Sequence, residues 1–413
     1  MIVLSGAQLV LPDRILSPGT LAIDDGHIVD IRSDALSGHA GTLHDHYIVP
    51  GFIDVHVHGV DGTDSLDGAD AIGSIAAHLP AYGVTAFCPT TVACGPAALR
   101  DALGQVRRAR EKPVAHGARV LPAHLESNFI SPEYRGAQPL ACLRTAARAL
   151  VAKAEDRSRD APSDSGGAEA FTGADILAEI GRAMPDVGIV TLAPELEGAL
   201  ELVDWLVARG RRVALGHSAA TYEEALAAIA AGARHATHLF NRMPPLNHRA
   251  PGLVGAILQT DEVAAELICD GVHVHPAVVR AVIAAKRPSR IMAITDGTAA
   301  AGLPRGGSAS LGGQRITAGA SAAHLDDGTL AGSILTMDRA FQMLVSTMGV
   351  SLVDAAAMCS TTPARELQLV GHGLLAEGAV ADLVVLGPNL DVVQTYVAGQ
   401  LVYTRNTAGA GSV

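Results

Sequence analysis

Two histidines, His56 and His58, follow an apolar segment at residues 51–55 and are separated by one residue. The segment is apolar and β-branched, which predicts a buried strand. Residues i and i+2 of a strand point to the same face, so both imidazoles are expected to project in one direction. Such a pair could bind a divalent metal. The alternative is a pair of surface histidines just beyond a core strand.

Seven further apolar segments predict strands that alternate with alanine-rich, helix-prone stretches. They are residues 85–89, 120–126, 188–194, 213–217, 235–240, 264–270 and 291–296. Together with the strand that begins near residue 51, they make eight βα units. This pattern predicts an α/β fold of the TIM (β/α)8 barrel type.

Side chains that bind metals or transfer protons lie at the predicted C-terminal ends of five of these strands. They are His56, His58, Glu126, His217, His238 and Asp296. In a TIM barrel the C-terminal ends of the strands surround the barrel mouth, where active sites are found. Unrelated surface histidines would not collect at this one position in separate βα units, so we expect these side chains to form one site.

This set of nitrogen and oxygen ligands suits Zn²⁺, Fe²⁺ or Mn²⁺ better than a metal that prefers thiolates. Such a metal lowers the pKa of bound water towards neutrality and polarises a carbonyl group. A neighbouring carboxylate can take the proton of the water and return it to the leaving group. The residues therefore predict hydrolysis of an amide, an ester or a cyclic C–N bond.

The composition limits the partners and the compartment. A net charge of −12 over 413 residues argues against nucleic acid as a partner. The five cysteines are scattered without a C-x-x-C pair, which favours a reducing compartment. We find neither a signal-peptide pattern nor an apolar run near the ~18 residues of a membrane span. These features predict a cytoplasmic protein that does not bind membranes.

Both ends of the chain carry short strand-like segments broken by turns. We therefore expect a small β-sandwich-like domain formed by residues 1–50 and 365–413, beside a catalytic barrel over residues 51–364. Residues 153–173 are charged and rich in Ser, Gly, Ala and Asp, without apolar periodicity. They predict a flexible surface loop, with a mobile lid as the alternative.

The chain resembles the amidohydrolase superfamily and, within it, the N-acetylglucosamine-6-phosphate deacetylases. The motifs that carry this resemblance follow the order of the family along nearly the whole chain. They are PGFIDVHVHG (50–59), HLE (124–126), FISP (129–132), TLAPE (191–195), LGHS (215–218), THLFN (237–241), DGVH (270–273), TDG (295–297) and LAGS (330–333).

The resemblance implies a role for each residue of the predicted site. Asp296 matches the catalytic acid and base. The principal metal ligands would be Glu126, His217 and His238, with His56 and His58 as a second metal position that some members keep. The implied cofactor is one or two divalent ions per subunit, Zn²⁺ first, with Fe²⁺ or Mn²⁺ as alternatives.

The resemblance also implies the substrate contacts. Asn241, Arg249 and His273 would hold a sugar phosphate, and a guanidinium fork suits a phosphate. From the residues alone, Arg249 could be a solvated loop arginine, Asn241 a turn-stabilising side chain and His273 a core imidazole. The remaining candidate substrate contacts are Ala137, Gln138, Arg242, Leu330, Ala331 and Gly332. Glu195, at the end of a predicted strand, is expected to make a structural hydrogen bond.

Three departures from the family pattern border the expected pocket. Glu-Gly-Pro is replaced by Glu126-Ser127-Asn128, a histidine by Gln138, and the alanine of Asn-Ala-Met by Arg242. We expect Gln138 to contact the substrate near its scissile amide and Arg242 to favour an anionic group. The sequence therefore defines the reaction class more narrowly than the substrate.

The preferred interpretation is a metal-dependent enzyme that removes acetate from an N-acetylated amino-sugar phosphate, N-acetylglucosamine 6-phosphate first. One alternative is hydrolysis of another anionic N-acyl substrate, such as an N-acyl amino acid or a different N-acyl sugar. Another is a non-catalytic binding barrel. The resemblance further implies a homodimer in which Arg249 serves the site of the neighbouring subunit.

Overall fold

The computed structural model describes residues 1–34, 43–146 and 170–405. Its strands are β1 (Ile2–Val10), β2 (Ile15–Asp24), β3 (His27–Arg32), β4 (Tyr47–Pro50), β5 (Phe52–Val57), β6 (Gly59–Val60), β7 (Thr63–Asp64), β8 (Val84–Thr91), β9 (Arg119–Val120), β10 (Ala123–Glu126), β11 (Val187–Leu192), β12 (Arg212–Leu215), β13 (His235–Ala236), β14 (Ala264–Ile268), β15 (Ile291–Ile294), β16 (Ser308–Leu311), β17 (Gln314–Ala318), β18 (Ala323–Leu325), β19 (Leu383–Leu386), β20 (Val392–Val397) and β21 (Gln400–Thr404). Its helices are α1 (Ala71–His78), α2 (Pro96–Glu111), α3 (Gly173–Arg182), α4 (Ala199–Val207), α5 (Tyr222–Ala230), α6 (Gly252–Gln259), α7 (Pro276–Lys286), α8 (Met337–Gln342), α9 (Leu352–Ala356) and α10 (Thr362–Glu366).

Eight parallel strands form the predicted barrel, in the order β5-β8-β10-β11-β12-β13-β14-β15. The first and last strands close it through backbone hydrogen bonds. The N–H of Asp296 donates to the carbonyl of His56 at 3.0 Å, and the N–H of His58 donates to the carbonyl of Gly297 at 2.8 Å. The fold class predicted from the sequence is therefore confirmed.

The barrel strands are apolar because both of their faces are covered. β5, β8, β10, β14 and β15 are buried at every position. The surrounding helices bury one face each, and the sequence specifies where some of them begin. Thr221 and Glu224 form a reciprocal capping box at the start of α5, which satisfies backbone N–H groups that have no partner within the helix.

Five barrel strands end earlier than the sequence predicted, and three of them lead to predicted site residues. β12, β13 and β15 stop two residues before His217, His238 and Asp296. The backbone of these three residues is left-handed, with φ values of 48°, 27° and 49°. A side chain in this conformation is uncommon and costs about 1 kcal/mol or more. The strand ladder therefore breaks where the chain turns each functional side chain over the barrel mouth.

A separate seven-stranded sheet is built from both ends of the chain, in the order β21-β20-β19-β4-β1-β2-β3. Its inner face has an apolar cluster of its own that includes Leu9, Leu21, Ile48, Leu383 and Val385. The predicted pairing of the two termini in one β-rich unit is therefore confirmed. The predicted domain limits, at residues 50 and 365, stay a prediction.

Most of the segment expected to be a flexible loop, residues 153–173, lies outside the described residues. Its last four residues, 170–173, are described and lead into α3. Phe171 lies under the guanidinium of Arg144, 3.9 Å from the ring centroid, and Thr172 caps α3 in a capping box with Asp175.

Among the described residues, we find no helix of the length and apolar character needed to cross a membrane.

Candidate active site

The carboxylate of Glu126 lies at the centre of the cluster at the barrel mouth. Its Oε1 is 2.9 Å from Nε2 of His217 and 2.7 Å from Nε2 of His238. Its Oε2 is 3.3 Å from Nε2 of His58. Oδ1 of Asp296 lies 3.3 Å from Nε2 of both His56 and His58. The structure thus brings together the six residues whose chemistry was singled out in the sequence, and all six are buried.

The donor set fits a metal ion. Nδ1 of His217 is 2.7 Å from the carbonyl oxygen of Tyr134, which can only accept, so Nδ1 carries the hydrogen. In the neutral ring, Nε2 then has a lone pair, and this lone pair faces a carboxylate oxygen and Nε2 of His238, 3.0 Å away. Lone pairs that converge in this way need protons or a metal cation between them. Glu126, His217 and His238 therefore have the chemistry of a metal site, and so do His56, His58 and Glu126.

The electrostatics of the cluster keep its carboxylates ionised. Burial alone would raise the pKa of Glu126, but the adjacent His217, His238 and His58 hold it well below its usual range. Burial likewise raises the pKa of Asp296, and the neighbouring His56 and His58 outweigh it and lower this pKa. Both groups can therefore act as acceptors or ligands near neutral pH.

The imidazoles of the cluster differ in their environments. Burial lowers the pKa of His56 to about 4, despite the attraction of Asp296 and Glu126. Burial would also lower the pKa of His58 and His238. Hydrogen bonds and charges from Asp296 and Glu126 raise the pKa of His58 to about 10, and those from Glu126 raise that of His238 to about 9.

Gln138 is held by two hydrogen bonds and is oriented towards a candidate metal ligand. Its Oε1 accepts from the backbone N–H of Ala93 at 2.7 Å. This fixes the amide so that Nε2 donates to Oε2 of Glu126. The side chain also lines the cavity. Gln138 was expected to contact the substrate, and the structure adds a contact to Glu126 that the sequence did not indicate.

A cavity of about 240 Å³ opens above the cluster. Asn241 donates from Nδ2 to the carbonyl of His238 at 3.3 Å. Nδ1 of His273 lies 2.6 Å from Oδ2 of Asp270. Nη2 of Arg242 donates to the carbonyl of Leu330 at 3.3 Å. The predicted site residues that line this cavity are His58, Glu126, Ala137, Gln138, His217, His238, Asn241, Arg242, His273, Asp296, Leu330 and Gly332.

Three predicted site residues do not line the cavity. His56 is fully buried below the cavity, between His58 and the barrel interior. Ala331, in the loop that follows β18, is also fully buried and packs with Leu311 and Ile316. The side chain of Arg249 is exposed, and its backbone N–H donates to Oδ1 of Asn247 at 2.9 Å.

One of the three departures, at Ser127 and Asn128, was expected to border the pocket, but neither residue lines the cavity. Ser127 donates to the carbonyl of Thr191 at 2.5 Å. Asn128 donates from Nδ2 to the carbonyls of Cys94 and Cys142. Glu195 accepts from Ser218 Oγ and the N–H of Ala219, as its structural interpretation predicted. Of the departures, Gln138 and Arg242 are the ones that meet the cavity.

Sequence reasoning missed three cavity-lining residues, Val92, Phe240 and Leu311. Phe240 belongs to the THLFN motif, so its position beside Asn241 was a usable signal. Leu311 ends β16, in the three-stranded sheet β16-β17-β18 that follows the last barrel strand. This sheet was not predicted. Gln314 in β17 connects it to the cavity wall by donating to the carbonyl of Ala137 at 2.7 Å.

Comparison with known proteins agrees with this fold. Residues 47–402 match the family model of the amidohydrolase family. Because the match covers most of the chain, the chain belongs to the amidohydrolase family.

Within this family, the chain is similar over nearly its whole length to N-acetylglucosamine-6-phosphate deacetylases. The enzyme of Rattus norvegicus is 37% identical over 425 residues, which cover 98% of this chain and 95% of that relative. The enzyme of Bacillus subtilis (strain 168) is 32% identical, and the match covers 97% of this chain and 96% of that relative. A mutant of the Mycobacterium smegmatis enzyme, solved in complex with N-acetyl-D-glucosamine-6-phosphate, superposes with a TM-score of 0.84 at 32% identity, covering 98% of this chain and 99% of the other. The resemblance inferred from the motifs is confirmed.

Proposed function

We propose that this chain removes the acetyl group of N-acetylglucosamine 6-phosphate and releases glucosamine 6-phosphate and acetate. The observation that carries the proposal is the meeting of a Glu126–His217–His238 cluster and Asp296 at the floor of a cavity whose wall carries Arg242 and other polar side chains. The cluster at the floor suits amide hydrolysis, and the polar cavity wall suits recognition of an anionic sugar. The activity of the similar enzymes supports the same assignment.

The residues fit a divalent metal, for which we propose Zn²⁺ first and Fe²⁺ or Mn²⁺ as alternatives. Glu126, His217 and His238 would hold one ion, and His56 and His58, with Glu126, would hold a second. When bound, such an ion lowers the pKa of water and polarises a carbonyl oxygen.

Asp296 is the proposed general base and acid. It is buried beside His56 and His58, which lower its pKa, so it is ionised and ready to accept a proton. In the reaction, Asp296 takes a proton from the attacking water as the oxygen adds to the acetyl carbon. It then delivers that proton to the amine nitrogen as the C–N bond breaks. The carboxylate is thereby regenerated at the end of each turnover.

The cavity wall supplies the proposed substrate contacts. Arg242 and His273 offer N–H donors, and the Arg242 guanidinium also offers a positive charge, so both can bind phosphate oxygens. Asn241 supplies an amide, and Leu330 and Gly332 form the facing loop. Glycine is needed at 332 because its φ is 56° and a Cβ there would lie 2.6 Å from Cγ2 of Thr298 and 2.9 Å from the carbonyl oxygen of Asp296.

A homodimer is part of the proposal because Arg249 is exposed and lies outside the lining of the cavity of its own chain. In a dimer this guanidinium would reach the phosphate site of the neighbouring subunit. A cytoplasmic location is also proposed. All five cysteines are free and four of them are buried, which suits a reducing compartment.

A second candidate substrate, another anionic N-acyl compound, is favoured by one observation. Gln138 replaces the expected histidine and is a neutral donor fixed between Ala93 and Glu126. Unlike a histidine, this amide cannot bring a positive charge to a developing oxyanion or change its protonation near neutral pH. Gln138 would therefore change the preference of the enzyme for the acyl group of the substrate.

The test is an acetate-release assay on the purified, metal-analysed chain with three kinds of compound. These are N-acetylglucosamine 6-phosphate, N-acetylglucosamine without phosphate, and a set of N-acyl amino acids. The proposal predicts the highest kcat/KM with the sugar phosphate. A higher value with an N-acyl amino acid would favour the second candidate, and no release from any compound by the metal-loaded protein would favour a binding barrel.

A further inference from the structure

A fully buried polar layer lies beneath the metal-binding cluster, inside the barrel. It is formed by Glu266 in β14, His124 in β10, Thr191 in β11 and Thr237 after β13, each with an exposed fraction of 0%. These residues lie below the cavity and outside its lining. A buried carboxylate is costly unless it is hydrogen-bonded or paired with a charge, so the presence of Glu266 in this layer needs an explanation.

The contacts of Glu266 define its hydrogen-bonding role. Its Oε2 is 2.9 Å from Nδ1 of His56 and 3.4 Å from the backbone N–H of His238. The backbone N–H can only donate, so Oε2 faces it as an acceptor. With Glu266 as a carboxylate, Oε2 accepts both bonds, and Nδ1 of His56 is then the donor of the shorter one. Nε2 of His56 is then left with its lone pair, which faces His58, Glu126 and Asp296.

His56, His124 and Glu266 lie close enough together to bind a metal ion, but the hydrogen bonds of His124 argue against a second metal site in this layer. Nδ1 of His124 lies 3.0 Å from the carbonyl of Val55, an acceptor, so this nitrogen carries a hydrogen and cannot be a ligand. Its Nε2 is 2.8 Å from Oγ1 of Thr191, which is 2.7 Å from Oγ1 of Thr237. The polar atoms of His124 are thus used within the layer, and Glu266 connects the layer to His56.

We infer that Glu266 is a positioning residue that holds His56 with Nδ1 protonated and Nε2 turned towards the metal position. The inference rests on the proposed metal-dependent function, because it concerns a ligand of the proposed ion. Groups that orient a ligating histidine in this way typically change metal affinity by ~10–100-fold when they are replaced. Glu266 therefore acts on the chemistry through His56, without touching the substrate.

Glu266→Gln tests the inference because it removes the charge and keeps the shape. If the amide oxygen faces His56, the new hydrogen bond is neutral and weaker. If the amide nitrogen faces it, Nδ1 must accept, and the hydrogen moves to Nε2, where it blocks coordination. Thr191→Val is the matched control, since it removes the hydrogen bonds to His124 and Thr237 from the same buried layer, and Thr191 makes no hydrogen bond to His56 within the described part of the chain.

The measurement is Zn²⁺ affinity and stoichiometry of the full-length chains, by competition with a chromophoric chelator, together with thermal unfolding. Glu266→Gln is expected to weaken the most weakly held ion by ~10–100-fold, while Thr191→Val keeps the affinity of the unaltered chain. Equal affinity in the unaltered and Glu266→Gln chains would overturn the inference and leave the proposed function standing. An unaltered chain that binds no Zn²⁺ would overturn both.

A second measurement needs no folded Glu266 variant. In the zinc-loaded unaltered chain labelled with ¹⁵N-histidine, the ring signals of His56 are assigned by their loss in His56→Asn. The inference predicts a hydrogen on Nδ1 and none on Nε2. A hydrogen on Nε2 of His56 would overturn it.

Discussion

Arg242→Ala tests whether the guanidinium on the cavity wall selects a phosphorylated substrate. The side chain lies in the gap between two loops. Its Nη2 donates to the carbonyl of Leu330 at 3.3 Å, and a Cβ at Gly136 would lie 2.5 Å from its Nε. This packing fixes the plane of the guanidinium at the cavity wall, so several of its five N–H donors remain for an anion.

The expected size of the effect follows from this environment. A hydrogen bond to a charged group contributes roughly 1.5–3 kcal/mol. Arg242 is half-buried, and solvent screening reduces this contribution to about 1–2 kcal/mol. Since about 1.4 kcal/mol is a factor of ten, kcat/KM for N-acetylglucosamine 6-phosphate should fall about 5- to 30-fold. The loss should lie in KM, because the phosphate is remote from the scissile amide and is bound equally in the ground and transition states.

The assay compares acetate release from N-acetylglucosamine 6-phosphate and from the unphosphorylated sugar. Arg315→Ala is the control, because it removes one positive charge from an exposed position in β17, outside the cavity lining. The ratio of the two kcat/KM values should fall in Arg242→Ala and stay constant in Arg315→Ala. An equal loss with both sugars, or a rise in KM that Arg315→Ala reproduces, would refute the assignment of Arg242 to the phosphate.

Two further predictions concern acid–base chemistry at the barrel mouth and stability at the opposite end. Asp296→Asn should retain zinc and substrate affinity but lose kcat by ~10²–10⁴-fold, since an amide cannot accept and return the proton; a loss below about tenfold with unchanged metal content would place the base elsewhere. Burial alone would raise the pKa of Glu366, but His235 and Arg365 outweigh it and lower this pKa from 4.5 to about 2. A lowered pKa in the folded state gives stability that is present above pH 4.5 and is lost as the pH falls towards 2. Glu366→Gln should therefore lower the free energy of unfolding by at most about 3 kcal/mol near neutral pH. Denaturant unfolding should show that the difference between the unaltered and Glu366→Gln chains disappears between pH 4.5 and 2. A difference that does not depend on pH would contradict this origin.

The fold was predictable because the barrel is repetitive. Each unit contributes a short apolar run and a helix-prone connection, and buried parallel strands need no alternation to be recognised. The pairing of the two termini was predictable for a similar reason, since both ends show short strands broken by turns. What the pattern did not reveal was where strands end. Apolar character continues through residues such as Leu239, whereas the ladder stops where the left-handed backbone of His238 turns the chain.

The candidate site was predictable where each residue lies at the end of its own strand. Glu126, His217, His238 and Asp296 are brought together by the topology alone, since parallel strands deliver their C-terminal ends to one place. Contacts that depend on loops had no such guide. Leu311 reaches the cavity from a small sheet after the last barrel strand, and nothing in its sequence neighbourhood distinguishes it from an ordinary strand residue.

The two departures that face the cavity act on different parts of the chemistry. Gln138 donates to Glu126, so a change there alters the charge distribution of a candidate metal ligand before it alters any substrate contact. Arg242 donates to the loop carbonyl of Leu330 and, among the described residues, has no hydrogen bond to the cluster, so a change there alters which anion is held. A substitution at Gln138 should therefore act on the candidate metal ligand and at the acyl end of the substrate, and one at Arg242 should discriminate between phosphorylated and unphosphorylated substrates. Family comparison alone could not separate these roles, because both positions simply appear as differences beside the same pocket.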